Sequence, residues 1–195
     1  ARYAGVSLSE GMAARAQFAA LRKGADDTPE AKARVREFRQ QMGRRLAQGF
    51  QASLARMVAD ETGLRERLVA FWADHFTVRD KTANDGLLNA AYEESAIRPH
   101  VTGRFADMLR AVATHPMMLV YLDQNASIGP NSDFAKRQAG KGKVAGLNEN
   151  LAREVMELHT LGVGGGYGQN DVRQLAELLT GLRVGSYVVE RTRIA

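Results

Sequence analysis

Histidine and glutamate side chains are the groups in this sequence that could carry acid–base chemistry or hold a metal ion. The chain of 195 residues has four histidines and no cysteine, so thiolate nucleophiles and thiolate metal ligands are excluded. The densest polar stretch is GLNENLAREVMELHTLGVGGGYGQND at residues 146–171, in which Glu154 and His159 lie five positions apart. This stretch is therefore the first place to look for a site.

The first half of this stretch has helical apolar periodicity, and Glu154 and His159 fall at the two margins of the apolar face. Marginal polar groups can be half buried, which shifts their pKa values. One interpretation makes His159 a proton shuttle or a ligand, with Glu154 as its partner. The other makes His159 a hydrogen-bonded core histidine and pairs Glu154 with Arg98 or Arg104. We favour the second, because structural networks also shift pKa values.

The glycines after this helix are better explained by chain geometry than by ligand binding. Asn148 is expected to cap the start of the helix, and Gly162 to adopt the left-handed conformation at its end. Residues 164–166 then form a turn, and Asn170 caps the last helix. GVGGGYG does not satisfy G-x-G-x-x-G, and GKGK at residues 140–143 has no phosphate-loop context. No cofactor is predicted.

A metal site would have to be assembled from separate helices, because no H-E-x-x-H or Glu-x-x-His spacing occurs. The candidate functional cluster consists of His75, His100, Glu154 and His159, with Asp123 as a further possible ligand. Such a site needs three or four convergent ligands, so no bound metal is predicted. His115 is instead expected to help start the helix that opens at Pro116.

The net charge of +5 has its source in the first 60 residues, which carry 11 Lys and Arg against 6 Asp and Glu. Residues 31–45 hold six of those basic side chains. Such a run is usually a solvated face, although it could contact an acidic partner, anionic lipid or nucleic acid. Nucleic-acid binding is not expected, because Phe38 is the only aromatic residue in the run. No apolar run is long enough to cross a membrane, and the compartment is not indicated.

Apolar spacing predicts an all-α fold, an irregular multi-helix bundle. Helices are predicted at 8–23, from Pro29 with Thr28 as its N-cap, at 64–76, 85–97, from Pro99 through Val112, from Pro116 to about Asp123, at 148–161 and at 171–182. One apolar stripe should run along the second helix from Val35 to Val58, and Gly43 and Gly49 weaken this helix enough to allow a kink or a break. Residues 124–145 are predicted as a long loop and residues 186–194 as a short strand. The chain is predicted to be a single helical domain over 1–195, with basic N-terminal helices at 1–60 and a core at 64–183.

Five stretches carry a family resemblance. They are FWADHFTV (71–78), IRPHVTGRF (97–105), ATHPMMLVYLD (113–123), SIGPNS (127–132) and the polar stretch with its continuation VRQLAELLTG (172–181). In this order and spacing they resemble the bacterial family called domain of unknown function 1800. The resemblance implies a predominantly helical protein longer than this chain, often exported, and often encoded beside a protein of domain of unknown function 1501. It implies no reaction.

Three positions depart from the family pattern. Ala73 stands where a second histidine is frequent, Gly168 where Thr or Ser is common, and Leu182 where Trp often follows. The first departure weakens any scheme that needs paired histidines on that helix. Our leading hypothesis is therefore a non-enzymatic binding or assembly module that acts with a protein partner. The alternative is a hydrolase-like or metal-assisted enzyme built on the candidate cluster.

Overall fold

The computed structural model describes residues 5–23, 28–59, 61, 63–142, 146–185 and 189–191. The chain divides into two compact units, residues 1–108 and residues 109–195, and each is described by itself. The described residues are mostly helical, which confirms the predicted fold class. The prediction that residues 1–195 form a single domain stays a prediction.

The described part of the first unit contains four complete α-helices, a π-helical segment and a 3-10 turn. They are α1 (Leu8–Lys23), α2 (Pro29–Ala59), α3 (Leu64–His75), α4 (Gly86–Tyr92), a π-helical segment (Glu93–Ile97) and a 3-10 turn (Arg98–His100). Helix α5 (Phe105–Ala113) follows, so Pro99 lies in the short 3-10 turn and does not open the next α-helix. The predicted helix start at Pro99 was therefore wrong by about two turns.

The second unit contains α6 (Pro116–Tyr121), a 3-10 turn (Gln124–Ala126), α7 (Asp133–Ala139), α8 (Asn150–Arg153), a π-helical segment (Glu154–Leu158) and α9 (Gln169–Leu179). Two short strands, β1 (Leu182–Val184) and β2 (Val189–Arg191), pair in antiparallel fashion. A short C-terminal strand was predicted, and β2 lies within the predicted range.

Three predictions for the second unit were wrong, namely the loop at 124–145 and the two ends of the last helix. The supposed loop at 124–145 contains α7, because Ser132 caps a short helix by accepting a hydrogen bond from the N–H of Ala135 at 3.2 Å. The last helix ends at Leu179, and Leu182 belongs to β1. It also starts earlier than predicted, at Gln169, where the Asp171 carboxylate accepts from the N–H of Gly168 at 2.8 Å. Asn170 is therefore inside the first turn and not the cap.

Helix α2 begins as the sequence predicts and continues unbroken for 31 residues. The Thr28 hydroxyl accepts a hydrogen bond from the N–H of Ala31 at 3.2 Å, and Pro29 occupies the first helical position. The helix is therefore not broken at Gly43 or Gly49. Added to Gly43, a Cβ atom would meet no other atom within 4 Å, so packing inside the chain does not require glycine there.

The core of the first unit lies between α1, α2 and α4, where Phe18, Phe38, Leu87 and Ala91 are buried together. The α1 and α4 backbones approach closely at Gly11. A Cβ atom there would lie 2.8 Å from the Cα of Leu88, so only glycine fits.

The predicted apolar stripe of α2 leaves this core halfway along the helix. Its members follow one another at four-residue steps from Phe38, and each step turns the side chain by about 40° around the axis. Phe38 is 5% exposed, whereas Phe50 is 66% and Val58 is 88% exposed. The prediction of a single buried stripe was therefore wrong for its second half. Helical apolar spacing at 64–76 likewise predicts that Phe71 on α3 points inward, but its side chain is 59% exposed.

Candidate functional site

Glu154 and His159 lie at the two ends of a π-helical turn in the second unit. The N–H of His159 donates to the carbonyl of Glu154 at 2.8 Å, the five-residue spacing of a π-helix. The His159 Nε2 and Glu154 Oε2 atoms are 4.0 Å apart, close enough for an ionic contact and too far for a hydrogen bond. Turns of this kind occur frequently at functional sites.

The two side chains differ in their access to solvent. His159 is buried at 3% exposure, whereas Glu154 is half-buried. Burial raises the pKa of Glu154 above the usual glutamate value, and the negative charge of Glu157 raises it further. A carboxyl group of raised pKa beside an imidazole could exchange a proton with it. The role of this pair stays a prediction.

Hydrogen bonds from Asn148 hold the start of the helical segment that contains Glu154 and His159. The Asn148 side-chain oxygen accepts from the N–H of Asn150 at 2.9 Å, and its side-chain amide donates to the carbonyls of Leu122 and Asp123 at 2.9 and 3.0 Å. The Ser127 hydroxyl accepts from the N–H of Asn148 at 3.1 Å. Asn148 thus joins two segments of the second unit, which is a structural role.

The glycines form a turn, as the sequence predicts. Gly162 has a φ of 81°, in the left-handed region that favours glycine. The Tyr167 hydroxyl donates to the Gly162 carbonyl at 3.1 Å and folds the chain back over the turn. Before it, Arg153 donates to Glu149 and Glu157 at 2.9 Å each, and this partly exposed group of charges links successive turns of the same segment.

His75 and His100 belong to the first unit. The His75 ring lies edge-on to the rings of Trp72 and Phe76, with centroids 5.5 and 4.6 Å away. His100 is half-buried, and its carbonyl accepts from the N–H of Gly103 at 2.9 Å. Three cavities described in this unit, of about 350, 710 and 200 Å³, have neither histidine in their lining.

Within the residues that the structure describes, no group of three or more His, Asp or Glu side chains could hold a metal ion. His75 and His100 lie in one unit and Glu154 and His159 in the other. Only the last two are placed together by local geometry. The assembly of all four into one cluster stays a prediction.

A buried group of charges in the first unit was not foreseen from the sequence. The Arg98 guanidinium donates to Glu66 at 2.6 Å and to Glu93 at 2.9 Å, and lies 3.3 Å from Glu94. Arg56 also binds Glu94 and so connects α2 to the π-helical segment. Burial alone would lower the pKa of Arg98, but the hydrogen bond to Glu66 and the neighbouring carboxylates raise it. The i, i+4 spacing of Glu94 and Arg98 was visible in the sequence, whereas Glu66 is 32 positions away.

The outward side of α2 is the second unforeseen feature. Four large apolar side chains near its C-terminal end are exposed, at 66%, 45%, 47% and 88%; they are Phe50, Leu54, Met57 and Val58. We call these four residues the exposed α2 face. The opposite side of the same helical stretch is engaged in the fold, since Gly49 is buried and Arg56 binds Glu94.

The basic half of α2 is partly engaged within the unit. Arg45 donates to Glu10 at 2.9 Å, and this bond, with the Ser7 N–H, lowers the pKa of Glu10 to about 2. The Arg39 guanidinium lies 5.5 Å from the centroid of the Phe18 ring. Arg34, Arg36 and Arg44 are exposed. Residues 31–45 of α2 therefore present positive charge to solvent.

No helix among the described residues is long and apolar enough to cross a membrane.

Comparisons with known proteins give one match. Neither a curated protein nor a solved structure matches the chain. A family model described as protein of unknown function (DUF1800) matches residues 4–194, and so includes the N-terminal helices that lie outside the five recognised stretches. The chain therefore belongs to the DUF1800 family.

Proposed function

We propose that this chain is a helical binding module that acts with a protein partner through the exposed α2 face. The observation that carries the proposal is the exposure of four large apolar side chains on one side of a long, regular helix. Single exposed apolar residues are common on protein surfaces, whereas contiguous groups of them mark interaction sites. Burying each such side chain contributes about 1.5–3 kcal/mol.

The spacing of these residues supports the same interpretation. Phe50, Leu54 and Met57 follow one another at steps of four and three residues, the pattern with which a helix packs against a second helix. Val58 lies on the adjoining turn. A chain segment that needed these side chains only for its own core would bury them, as α2 does with Phe38. A protein of domain of unknown function 1501 is the partner that the family resemblance suggests.

The second candidate is a hydrolase-like or metal-assisted enzyme. It is favoured by the 4.0 Å approach of His159 and Glu154 at the π-helical turn and by the raised pKa of Glu154. Metal analysis of the full-length protein separates the two candidates. Metal in the wild type that vanishes in a folded His159→Ala variant would support the enzyme and count against the binding module.

The binding module is tested with a Phe50→Glu/Leu54→Glu double variant in the full-length protein. Because both side chains are exposed, we expect the free energy of unfolding to change by less than about 0.5 kcal/mol per site. Co-purification of the partner from the native host should be lost, since two glutamates would have to be buried without compensation.

Leu178→Glu is the matched control. Leu178 is 68% exposed on α9, so the variant makes the same chemical change on a different surface and should keep the partner. The proposal fails if the double variant retains the partner, or if its loss is accompanied by unfolding of the chain in urea titrations.

A further inference from the structure

We infer that the partner segment is an amphipathic helix with acidic residues at one end and apolar residues at the other, packed along the whole outer side of α2. The inference rests on the proposed function and deepens it. Seven positions of α2 follow one another at alternating steps of four and three residues: Arg36, Gln40, Gly43, Ala47, Phe50, Leu54 and Met57. We call these positions the α2 seam. A line of this kind is the contact line of a coiled coil and spans about 32 Å.

The middle of the α2 seam is shaped for close approach. Gly43 and Ala47 are both exposed, and a Cβ atom on Gly43 would meet no other atom within 4 Å. Glycine inside a helix lowers its stability by about 1 kcal/mol relative to alanine. Its presence at an exposed position in the centre of α2 brings no packing benefit within the chain. A second helix lying over Gly43 would use that space.

A small cavity lies beside this point. It has a volume of about 200 Å³ and is lined mainly by apolar side chains, including Phe38, Met42, Leu46 and Leu87, with Gly43 and Arg39 also contributing. A leucine or phenylalanine of a helix packed over Gly43 could enter it. Anchor residues that fill such pockets dominate the affinity of many interfaces.

Charge complementarity selects the orientation and the chemistry of the partner. The α2 seam starts at Arg36, beside which Arg39 is also exposed, and it is apolar at its end. An acidic end of the partner helix would meet these arginines while its apolar end covers Phe50 and Leu54. Opposite charges across an interface fix its register and speed association.

A second copy of this chain fits the α2 seam less well. In a parallel pair Arg36 would face its own counterpart, and in an antiparallel pair it would face Met57. Neither arrangement matches positive with negative charge, and the antiparallel one places an arginine against apolar surface.

A lipid surface also fits less well. A helix that lies on a membrane carries basic residues along both edges of its apolar face at the same level. In α2 the exposed arginines instead precede the exposed apolar residues along the axis, since Arg44, the last of them, lies about 9 Å before Phe50.

The test uses the full chain and two labelled helical peptides, each at a concentration at which it is monomeric. Both peptides carry leucine at the positions that contact α2. In the half that faces Arg36, the positions beside these leucines are glutamates in one peptide and lysines in the other. Fluorescence anisotropy should give a dissociation constant at least about tenfold lower for the glutamate peptide. Arg36→Glu/Arg39→Glu should reverse this preference. Arg34→Glu, on the same helix outside the α2 seam, should preserve it.

Equal affinity for the two peptides, or binding of neither, would overturn the inference. Adsorption to phosphatidylserine vesicles without peptide binding would replace it with a lipid surface, and a dimer in sedimentation that Phe50→Glu/Leu54→Glu dissociates would replace it with a second copy. The proposed function fails separately. Should the double variant lose its native partner while the wild type does not discriminate between the peptides, the binding module stands and the acidic helix does not.

Discussion

Arg98→Ala is expected to lower the free energy of unfolding of the first unit by about 3–5 kcal/mol, the usual effect of removing one partner from a buried ionic group. Arg98 is 13% exposed and lies within 3.3 Å of three carboxylates, those of Glu66, Glu93 and Glu94. Glu66 is itself 7% exposed, so its charge would remain buried without its main counter-ion. The loss should be visible in urea unfolding followed by the fluorescence of Trp72, the only tryptophan in the chain and a residue of α3.

Arg153→Ala is the matched control for this prediction. Arg153 also binds two glutamates at 2.9 Å, but its side chain is 40% exposed, and solvent-screened ion pairs contribute little to stability. A loss at Arg98 no larger than the loss at Arg153 would contradict the view that burial makes the first group of charges essential to the fold.

The stability of the chain should fall as pH falls from about 6.5 to about 4, and His115 should be a main cause. Burial lowers the pKa of His115 from 6.5 to about 4, because the side chain is 5% exposed. Its neutral Nδ1 accepts a hydrogen bond from the N–H of Met117 at 3.0 Å and caps α6. The unfolded chain takes up this proton below about pH 6.5, whereas the folded chain resists it until about pH 4. The contribution of His115 to the free energy of unfolding is fully present above about pH 6.5. It decreases by about 3 kcal/mol as the pH falls to about 4.

The control is His115→Asn, which keeps an acceptor for the helix start but has no group that titrates in this range. Urea midpoints measured from pH 4 to pH 7 should show a shallower pH dependence in the variant than in the wild type. The difference isolates His115, because the other three histidines are present in both proteins. Parallel pH profiles for the two proteins would contradict the assignment.

Local signals in the sequence were sufficient where a single residue decides the backbone. Thr28 and Pro29 place the start of α2, and His115 with Pro116 places the start of α6. In each case the cap and the proline act within one helical turn, so no tertiary contact is needed. The left-handed φ of Gly162 is of the same local kind.

Errors arose where packing between elements decides the result. The apolar residues of α2 were treated as one stripe because their spacing is regular, but rows at four-residue steps wind around the helix. The first half of the row therefore meets α1 and α4, and the second half faces solvent. Helix α7 was missed because seven residues are too few for periodicity to be visible.

The candidate site could be predicted only in part. Five-residue spacing in a regular α-helix would place Glu154 and His159 about 140° apart around the axis, and the π-helical turn that brings them to 4.0 Å has no sequence signature that we recognised. The ionic group around Arg98 depends on Glu66, which only the packing of α3 brings near. The exposed α2 face was not predicted, because apolar periodicity was taken to mean burial.

Site-specific photocrosslinking at position 54 of the full-length protein in its native host is the most direct test of the binding module. A photoreactive amino acid replaces Leu54 in one strain and Leu178 in another, and both positions are exposed. We expect one discrete crosslinked product with a different protein from position 54, its loss when Phe50→Glu is added, and no such product from position 178. No discrete product from position 54, or the same product from both positions, would contradict a docking function for α2.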